Sequence, residues 1–191
     1  MQKCVFLDRD GVINADSPAY IKHWSEFEFL PGSLPALKRL TENGFATVII
    51  TNQSIINRKM VPLKTLEEIH RNLRSAVRKS GGAIHGIFFC PHTPEENCSC
   101  RKPKPGLIHQ ARAAFDIHLT SAVMVGDSAK DIECAKNAGC GKSILVRTGN
   151  GLKAETQLAR LDHSPDYIFN DLDEASQWIV DNPLPSGLPN D

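Results

Sequence analysis

Six short, nearly continuous apolar runs rich in β-branched residues alternate with helical patterns, and this alternation does most to narrow the folds open to the chain. The runs are Lys3–Asp8, Phe45–Thr51, Ile84–Cys90, Ser121–Asp127 and Lys142–Val146, with a weaker one at Asp166–Phe169. A strand that is apolar at almost every residue must be buried on both faces, as happens in parallel sheets covered by helices on both sides. The intervening patterns predict helices over Leu34–Asn43, closed by Gly44 as a left-handed cap, and over Thr65–Lys79, opened by the capping box Thr65-Leu66-Glu67-Glu68. Leu66, Ile69, Leu73 and Val77 form the apolar stripe of the second helix; Leu107, Ile108, Ala111, Ala114 and Phe115 form that of a third, Leu107–Phe115. Two more helices are expected at Ala129–Asn137 and Asp171–Val180. The expectation is an α/β domain, three-layered and doubly wound, with a mainly parallel sheet spanning residues 1–181. The segments after Asp10 and Thr51 are too short for a large cap domain. The last ten residues, NPLPSGLPND from Asn182, contain three prolines and read as a flexible tail.

Charge removes several classes of function. Lys and Arg number 22, as do Asp and Glu, so no basic excess exists to bind nucleic acid or an anionic membrane. Four charges within the first ten residues leave no apolar stretch for a secretory signal, and no run approaches the ~18 apolar residues of a membrane span. A cytoplasmic monomer is expected, with a small molecule as partner.

The unusual polar residues fall at the carboxyl ends of the predicted strands, where open parallel sheets collect ligands. Asp8 and Asp10 end the first, Thr51-Asn52-Gln53 the second, Cys90 and His92 the third, and Gly126-Asp127 the fourth. Asp8, the main-chain carbonyl of Asp10 and Asp127 offer the hard oxygens that Mg²⁺ prefers. A magnesium site bordered by Thr51, Asn52 and Lys102 suits a phosphate, whose oxygens the cation and Lys102 would neutralise. Attack by Asp8 on phosphorus would form an aspartyl-phosphate, and Asp10 would protonate the leaving alkoxide and then deprotonate water. That second role asks for an elevated pKa at Asp10, which burial could supply. Neither GxxxxGK[ST] nor GxGxxG occurs, so nucleotide binding by those routes has no support.

A second constellation is Cys90, His92, Cys98 and Cys100, three thiols and an imidazole within eleven residues. This is the Cys₃His set of structural zinc, and with all four positions protein-supplied it leaves none open for chemistry. Arg101 and Lys102 follow the last ligand, so zinc would fix where two phosphate-binding cations point. Cys4, Cys134 and Cys140 read as small buried hydrophobes. His23, His70, His85, His109, His118 and His163 share no spacing and read as surface or satisfied residues.

Asp8-Arg9-Asp10-Gly11, Val48-Ile49-Ile50-Thr51-Asn52-Gln53, Lys102 and Gly126-Asp127 with Asp131 resemble, in order, the four motifs of the haloacid-dehalogenase-like phosphatases. The resemblance implies a Rossmann-like fold, a nucleophilic Asp8, an acid/base Asp10, phosphate-binding Thr51 and Lys102, and Mg²⁺ held by Asp8, the Asp10 carbonyl and Asp127. The zinc loop is similar to that of the branch containing heptose-bisphosphate and histidinol-phosphate phosphatases, so a phosphorylated small molecule is the implied substrate, a heptose bisphosphate first and histidinol phosphate second. For the sugar speak Asn14, Asp16, Tyr20, Gln53 and Ser54, with Arg58 and Arg101 as candidates for a second phosphate. For histidinol phosphate speaks the five-residue gap between His92 and Cys98, with Glu95 or Glu96 free to meet an amine. A non-catalytic zinc module and a nucleic-acid end phosphatase are the other options. The chain departs from the heptose pattern at Ser17-Pro18-Ala19, one residue longer and without the usual glycine, and at Ile55, where a glycine is usual.

Overall fold

The computed structural model describes residues 3–160, 164–182 and 184. Strands β1 (Cys4–Leu7), β2 (Ala46–Asn52), β3 (Gly86–Cys90), β4 (Val123–Gly126), β5 (Lys142–Val146) and β6 (Tyr167–Phe169) form one sheet in the order β3-β2-β1-β4-β5-β6, every pair parallel. The predicted runs all become strands, β5 starting where expected and the other five one or two residues later. The strand order reverses between β1 and β4, the switch point at which such sheets open a crevice.

Alternate residues of β1 serve opposite layers. Val5 and Leu7 pack with α1 (Ser33–Glu42), α2 (Leu63–Lys79) and α6 (Leu172–Asp181), whereas Cys4 and Phe6 pack with α3 (Gly106–Ala114) and α4 (Ala129–Ala138). A smaller cluster joins Ile132 of α4 to Ala154 and Leu158 of α5 (Gly151–Arg160) across Leu145. The three-layer expectation is met. Among the described residues the connections after β1 and β2 carry no cap domain, only a single 3₁₀ turn at Trp24–Glu26. The tail expected from Asn182 lies, Asn182 and Leu184 apart, outside the described residues, as does His163.

Three local readings are corrected. Helix α2 starts at Leu63 rather than Thr65: Pro62 is its cap residue, its carbonyl accepts the Thr65 N–H, and no side chain caps the end. The true capping boxes are Thr93 with Glu96 and Ser128 with Asp131. The third stripe is shorter than expected, since α3 stops at Ala114, which is exposed, and Phe115 instead meets Phe88 edge-on. Helix α5 went unpredicted. Gly44 closes α1 as expected, with φ of 76° and hydrogen bonds from Gly44 and Phe45 back to Thr41 and Leu40. Cys4 and Cys134 are buried and Cys140 half-buried.

Candidate active site

Strand β1 delivers Asp8 to the switch point, where its N–H bonds the Val125 carbonyl of neighbouring β4 at 3.0 Å. One step on, β4 delivers Asp127, and Asp131 rises from the first turn of α4. Carboxylate oxygens of Asp8, Asp127 and Asp131 lie within 4.8 Å of one another. Lys102 is 3% exposed; its ammonium donates to the Ile50 carbonyl at 2.8 Å and forms ion pairs with Asp8 Oδ1 at 2.9 Å and Asp131 Oδ1 at 2.6 Å. Asp131 turns its other oxygen to the Ser128 N–H and hydroxyl at 3.1 and 2.6 Å, so one carboxylate both caps α4 and anchors Lys102.

Three carboxylates thus face one ammonium. Burial pushes the Asp8 carboxyl well above its ordinary value; Lys102 opposes this, and Asp131 and Asp127 add to it. Burial, then Asp131, pushes Asp127 up to about 7 against the Asn150 N–H and Lys102. For Lys102 burial works downward, but Asp131 and Asp8 outweigh it and hold its pKa above normal. The unbalanced negative charge and the hard oxygen donors fit a magnesium ion. The surrounding backbone is shaped for these carboxylates: Gly11, with φ of 82°, and Gly149, with φ of 55°, press so closely on Asp127 that a Cβ at either would collide with it.

Asp10 is placed differently. Its Oδ1 accepts from Arg9 Nε, Arg9 Nη2 and Asn14 Nδ2 at 3.1, 2.8 and 2.9 Å, and its Oδ2 from Arg9 Nη2 and Gln53 Nε2, both at 2.8 Å. Burial pushes its carboxyl up, yet Arg9, Asn14 and Gln53 together hold it below its ordinary value. The elevated pKa expected from burial is therefore corrected: desolvation is present, but charge-assisted donors to the ionised form exceed it. Gln53 Nε2 also bonds Thr51 Oγ1 at 2.9 Å, linking Asp10 to the penultimate residue of β2.

These groups line one cavity of about 490 Å³. Asp8, Asp10, Asp16, Tyr20, Thr51, Asn52, Gln53, Arg101, Lys102 and Asp127 all contribute to its wall, whereas Ser54 and Arg58 do not. Ser54 is buried, and the exposed Arg58 leans back on its hydroxyl at 3.4 Å. The Asn52 side chain is taken up by Lys102: its amide oxygen accepts the Lys102 N–H at 3.1 Å and its amide nitrogen donates to the Lys102 carbonyl at 3.2 Å. It seats Lys102. Ile55 is fully buried, so the departure there fills core rather than cavity.

The wall also holds residues that the strand-end argument passed over: Ser128, Lys130, Asn150 and Gln157. Asn150 sits in the loop after β5, its N–H bonding Asp127 Oδ2 at 2.8 Å and its side-chain amide Asp16 Oδ2 at 2.9 Å. It ties the Asp16 loop to the carboxylate cluster. The signal was Arg147-Thr148-Gly149-Asn150-Gly151, a polar, glycine-containing stretch at a fifth strand end.

Beside the cavity, one ligand atom each from Cys90, His92, Cys98 and Cys100 gathers within 4.8 Å. Neighbouring sulfurs stand 3.3 to 3.5 Å apart, and Nδ1 of His92 lies 3.5 and 3.4 Å from Cys90 and Cys100. A tetrahedral zinc with Zn–S of roughly 2.3 Å has S···S edges of roughly 3.8 Å, so the cluster fits zinc with half an ångström of adjustment. From this loop Arg101 donates to the His92 carbonyl at 2.9 Å, which couples its placement to a ligand residue.

A HAD-hydrolase-like family model matches residues 99–175. Over 93% of its length the chain is 44% identical to the D-glycero-beta-D-manno-heptose-1,7-bisphosphate 7-phosphatase of Pseudomonas putida, 99% of which is covered. It is 40% identical to the protein of that name from Neisseria meningitidis, with 93% of this chain and 95% of that one covered. The crystal structure of the D,D-heptose 1,7-bisphosphate phosphatase from B. bronchiseptica, complexed with magnesium and phosphate, matches with a TM-score of 0.88 at 38% identity, covering 94% of this chain and 99% of that one. That of Burkholderia thailandensis matches with a TM-score of 0.72 at 30% identity, covering 95% and 100%.

Proposed function

The chain belongs to the haloacid-dehalogenase-like phosphatases of heptose bisphosphate, and from that premise we propose that it hydrolyses the 7-phosphate of D-glycero-D-manno-heptose 1,7-bisphosphate through an aspartyl-phosphate on Asp8. The observation that carries the reading is Asp8 itself, a half-buried carboxylate at the switch point with Lys102 on one oxygen and two further carboxylates beside it. Lys102, already neutralising Asp8, lowers the repulsion that an incoming phosphate would meet, and the Thr51 hydroxyl lines the cavity to bond its oxygens. Asp8, the Asp10 main-chain carbonyl and Asp127 would hold Mg²⁺, which when bound supplies charge neutralisation at the phosphoryl oxygens. Asp10, in its protonated form, would give its proton to the departing alkoxide and, as the carboxylate that Arg9, Asn14 and Gln53 favour, would take the proton of the attacking water. Zinc at Cys90, His92, Cys98 and Cys100 would be structural, holding Arg101 and Lys102 in place.

Two cations not used on Asp8, Arg101 and the exposed Lys130, line the same cavity and suit the second phosphate of a bisphosphate. The histidinol-phosphate reading asks for Glu95 or Glu96 at the substrate amine. Neither lines the cavity, and Glu96 is spent on the Thr93 N–H at 2.6 Å and on Asn57 at 2.8 and 3.0 Å. The enzyme is read as a cytoplasmic monomer; among the described residues no helix is long and apolar enough to cross a membrane. Phosphate release with Mg²⁺ from the heptose bisphosphate, histidinol phosphate, a 3′-phosphorylated oligonucleotide and an aryl phosphate tests the reading. The heptose bisphosphate should give the highest kcat/KM, and a preference for either of the next two would overturn it.

A further inference from the structure

The proposed chemistry leaves two buried, ionisable side chains without a task. Arg9 is the largest fully buried side chain of the described residues, 1% exposed, although it stands between two strand-end aspartates. A guanidinium held in so dry a place must be anchored on every side. Its Nε and Nη2 grip Asp10, its Cζ lies 5.9 Å from the Phe27 ring centre, and its remaining Nη1 meets Nε2 of His70 at 3.3 Å. His70 comes from α2, on the buried face shared by Leu66, Ile69 and Leu73, with its ring 5.7 Å from that of Phe89.

Arginine can only donate, so Nε2 of His70 must accept and the ring proton must sit on Nδ1. Burial, reinforced by Arg9, holds the His70 pKa down at about 3, so the ring stays neutral and keeps this lone pair available. We propose that His70 is a positioning residue of the reaction: it anchors Arg9, and Arg9 in turn fixes the Asp10 carboxylate for its work as acid and base. Helix α2 would thereby reach the reacting atoms through two side chains. Without the imidazole, Nη1 is buried with no acceptor, and the guanidinium must turn to find one. Its fork on Asp10 then opens, while the Asp10 main chain stays in place. The inference rests on the reading of Asp10 as acid and base, so the test includes Asp10 itself.

The test compares kcat at saturating Mg²⁺ for the best sugar phosphate, whose alkoxide needs a proton, and for p-nitrophenyl phosphate, whose leaving group does not. Asp10→Asn is the reference and should lose far more activity on the sugar phosphate than on the aryl ester. His70→Leu and Arg9→Lys should share that selective signature, losing about 10- to 100-fold on the sugar phosphate and less than about 3-fold on the aryl ester. His70→Gln, whose amide oxygen can accept from Nη1, should recover most of the loss. Mg²⁺ affinity, measured by calorimetric titration, should stay unchanged in all four variants. Equal losses on both substrates, or no loss in His70→Leu and Arg9→Lys while Asp10→Asn is selective, would overturn the inference. An unselective Asp10→Asn would instead overturn the acid/base reading and this inference with it. Arg9→Lys, which keeps the charge and removes the fork, carries the test alone should His70→Leu not fold.

Discussion

The two donor clusters of this molecule sit side by side and are built in opposite ways. Around Asp8 the clustered carboxylates come from positions 8, 127 and 131, and the parallel register of β1 and β4 brings these distant parts of the sequence together. Around Cys90 they come from positions 90 to 100, and only Cys90 belongs to a strand. The first site holds its shape through the sheet and carries excess negative charge. The second is wrapped by a loop held by a 3₁₀ turn, the Asn57–Glu96 bonds, the Arg101 bond to the His92 carbonyl and the Lys104 bonds to Asn97, with no strand register behind it. Loss of metal should therefore leave the first site formed but strained by repulsion, and should leave the second without its organising centre.

The largest expected effect is at the nucleophile. Asp8→Asn should lower turnover by on the order of 10⁴-fold or more with the circular dichroism spectrum unchanged, and near wild-type activity would remove Asp8 from its role. Next comes the charge balance of the strand-end site. Lys102→Met leaves the buried Asp131 and the half-buried Asp8 without their counter-charge, which should cost about 3–5 kcal/mol of stability. Chemical denaturation should read that loss, and added Mg²⁺ should restore part of it. A Lys102→Met protein as stable as wild type would show that the carboxylates need no cation.

Smaller, and confined to the loop, is the effect of Cys98→Ser. Metal analysis should find about one zinc per chain in the wild type and much less in the variant. Activity should fall because Arg101 and Lys102 lose their placement, while the melting of the sheet changes little. After chelation, Mg²⁺ alone should fail to restore full activity; complete recovery without zinc would break the contrast between the two sites. The smallest effect belongs to Arg58→Ala, within about two-fold, as expected of an exposed side chain away from such features. Its side chain faces away from the cavity wall, and a large rise in KM would return it to the second-phosphate site.

The strands and the proposed catalytic set were legible because both depend on local signals. Continuous apolar runs mark buried strands, and polar residues at their ends mark the crevice, which brings out Asp8, Asp10, Thr51 and Asp127, whereas Lys102 stands out by its place directly after the Cys/His loop and by the family resemblance. Helix α5 was missed because only Gly151, Ala154 and Leu158 of its ten residues are buried, too few to show a 3.6-residue period. Asn150 and the partner that satisfies His70 were not legible for another reason. Each pairing joins residues more than twenty positions apart, Asn150 with Asp127 and His70 with Arg9, and no local pattern encodes such a pairing. The pKa of Asp10 was misjudged because burial is visible in a strand-end pattern, whereas donors from Asn14 and Gln53 emerge only from the folded chain. Arg58 and Ser54 were drawn in by proximity to Thr51-Asn52-Gln53, but the turn after β2 carries them off the wall.

The central claim, that Asp8 and not Asp10 takes the phosphoryl group, is tested most directly by trapping its mimic. The protein crystallised with Mg²⁺ and beryllofluoride should show beryllium within bonding distance of a carboxylate oxygen of Asp8, with Asp10 still free of it and facing the fluoride shell. Beryllium bonded to Asp10, or an adduct bound to neither aspartate, would contradict the account.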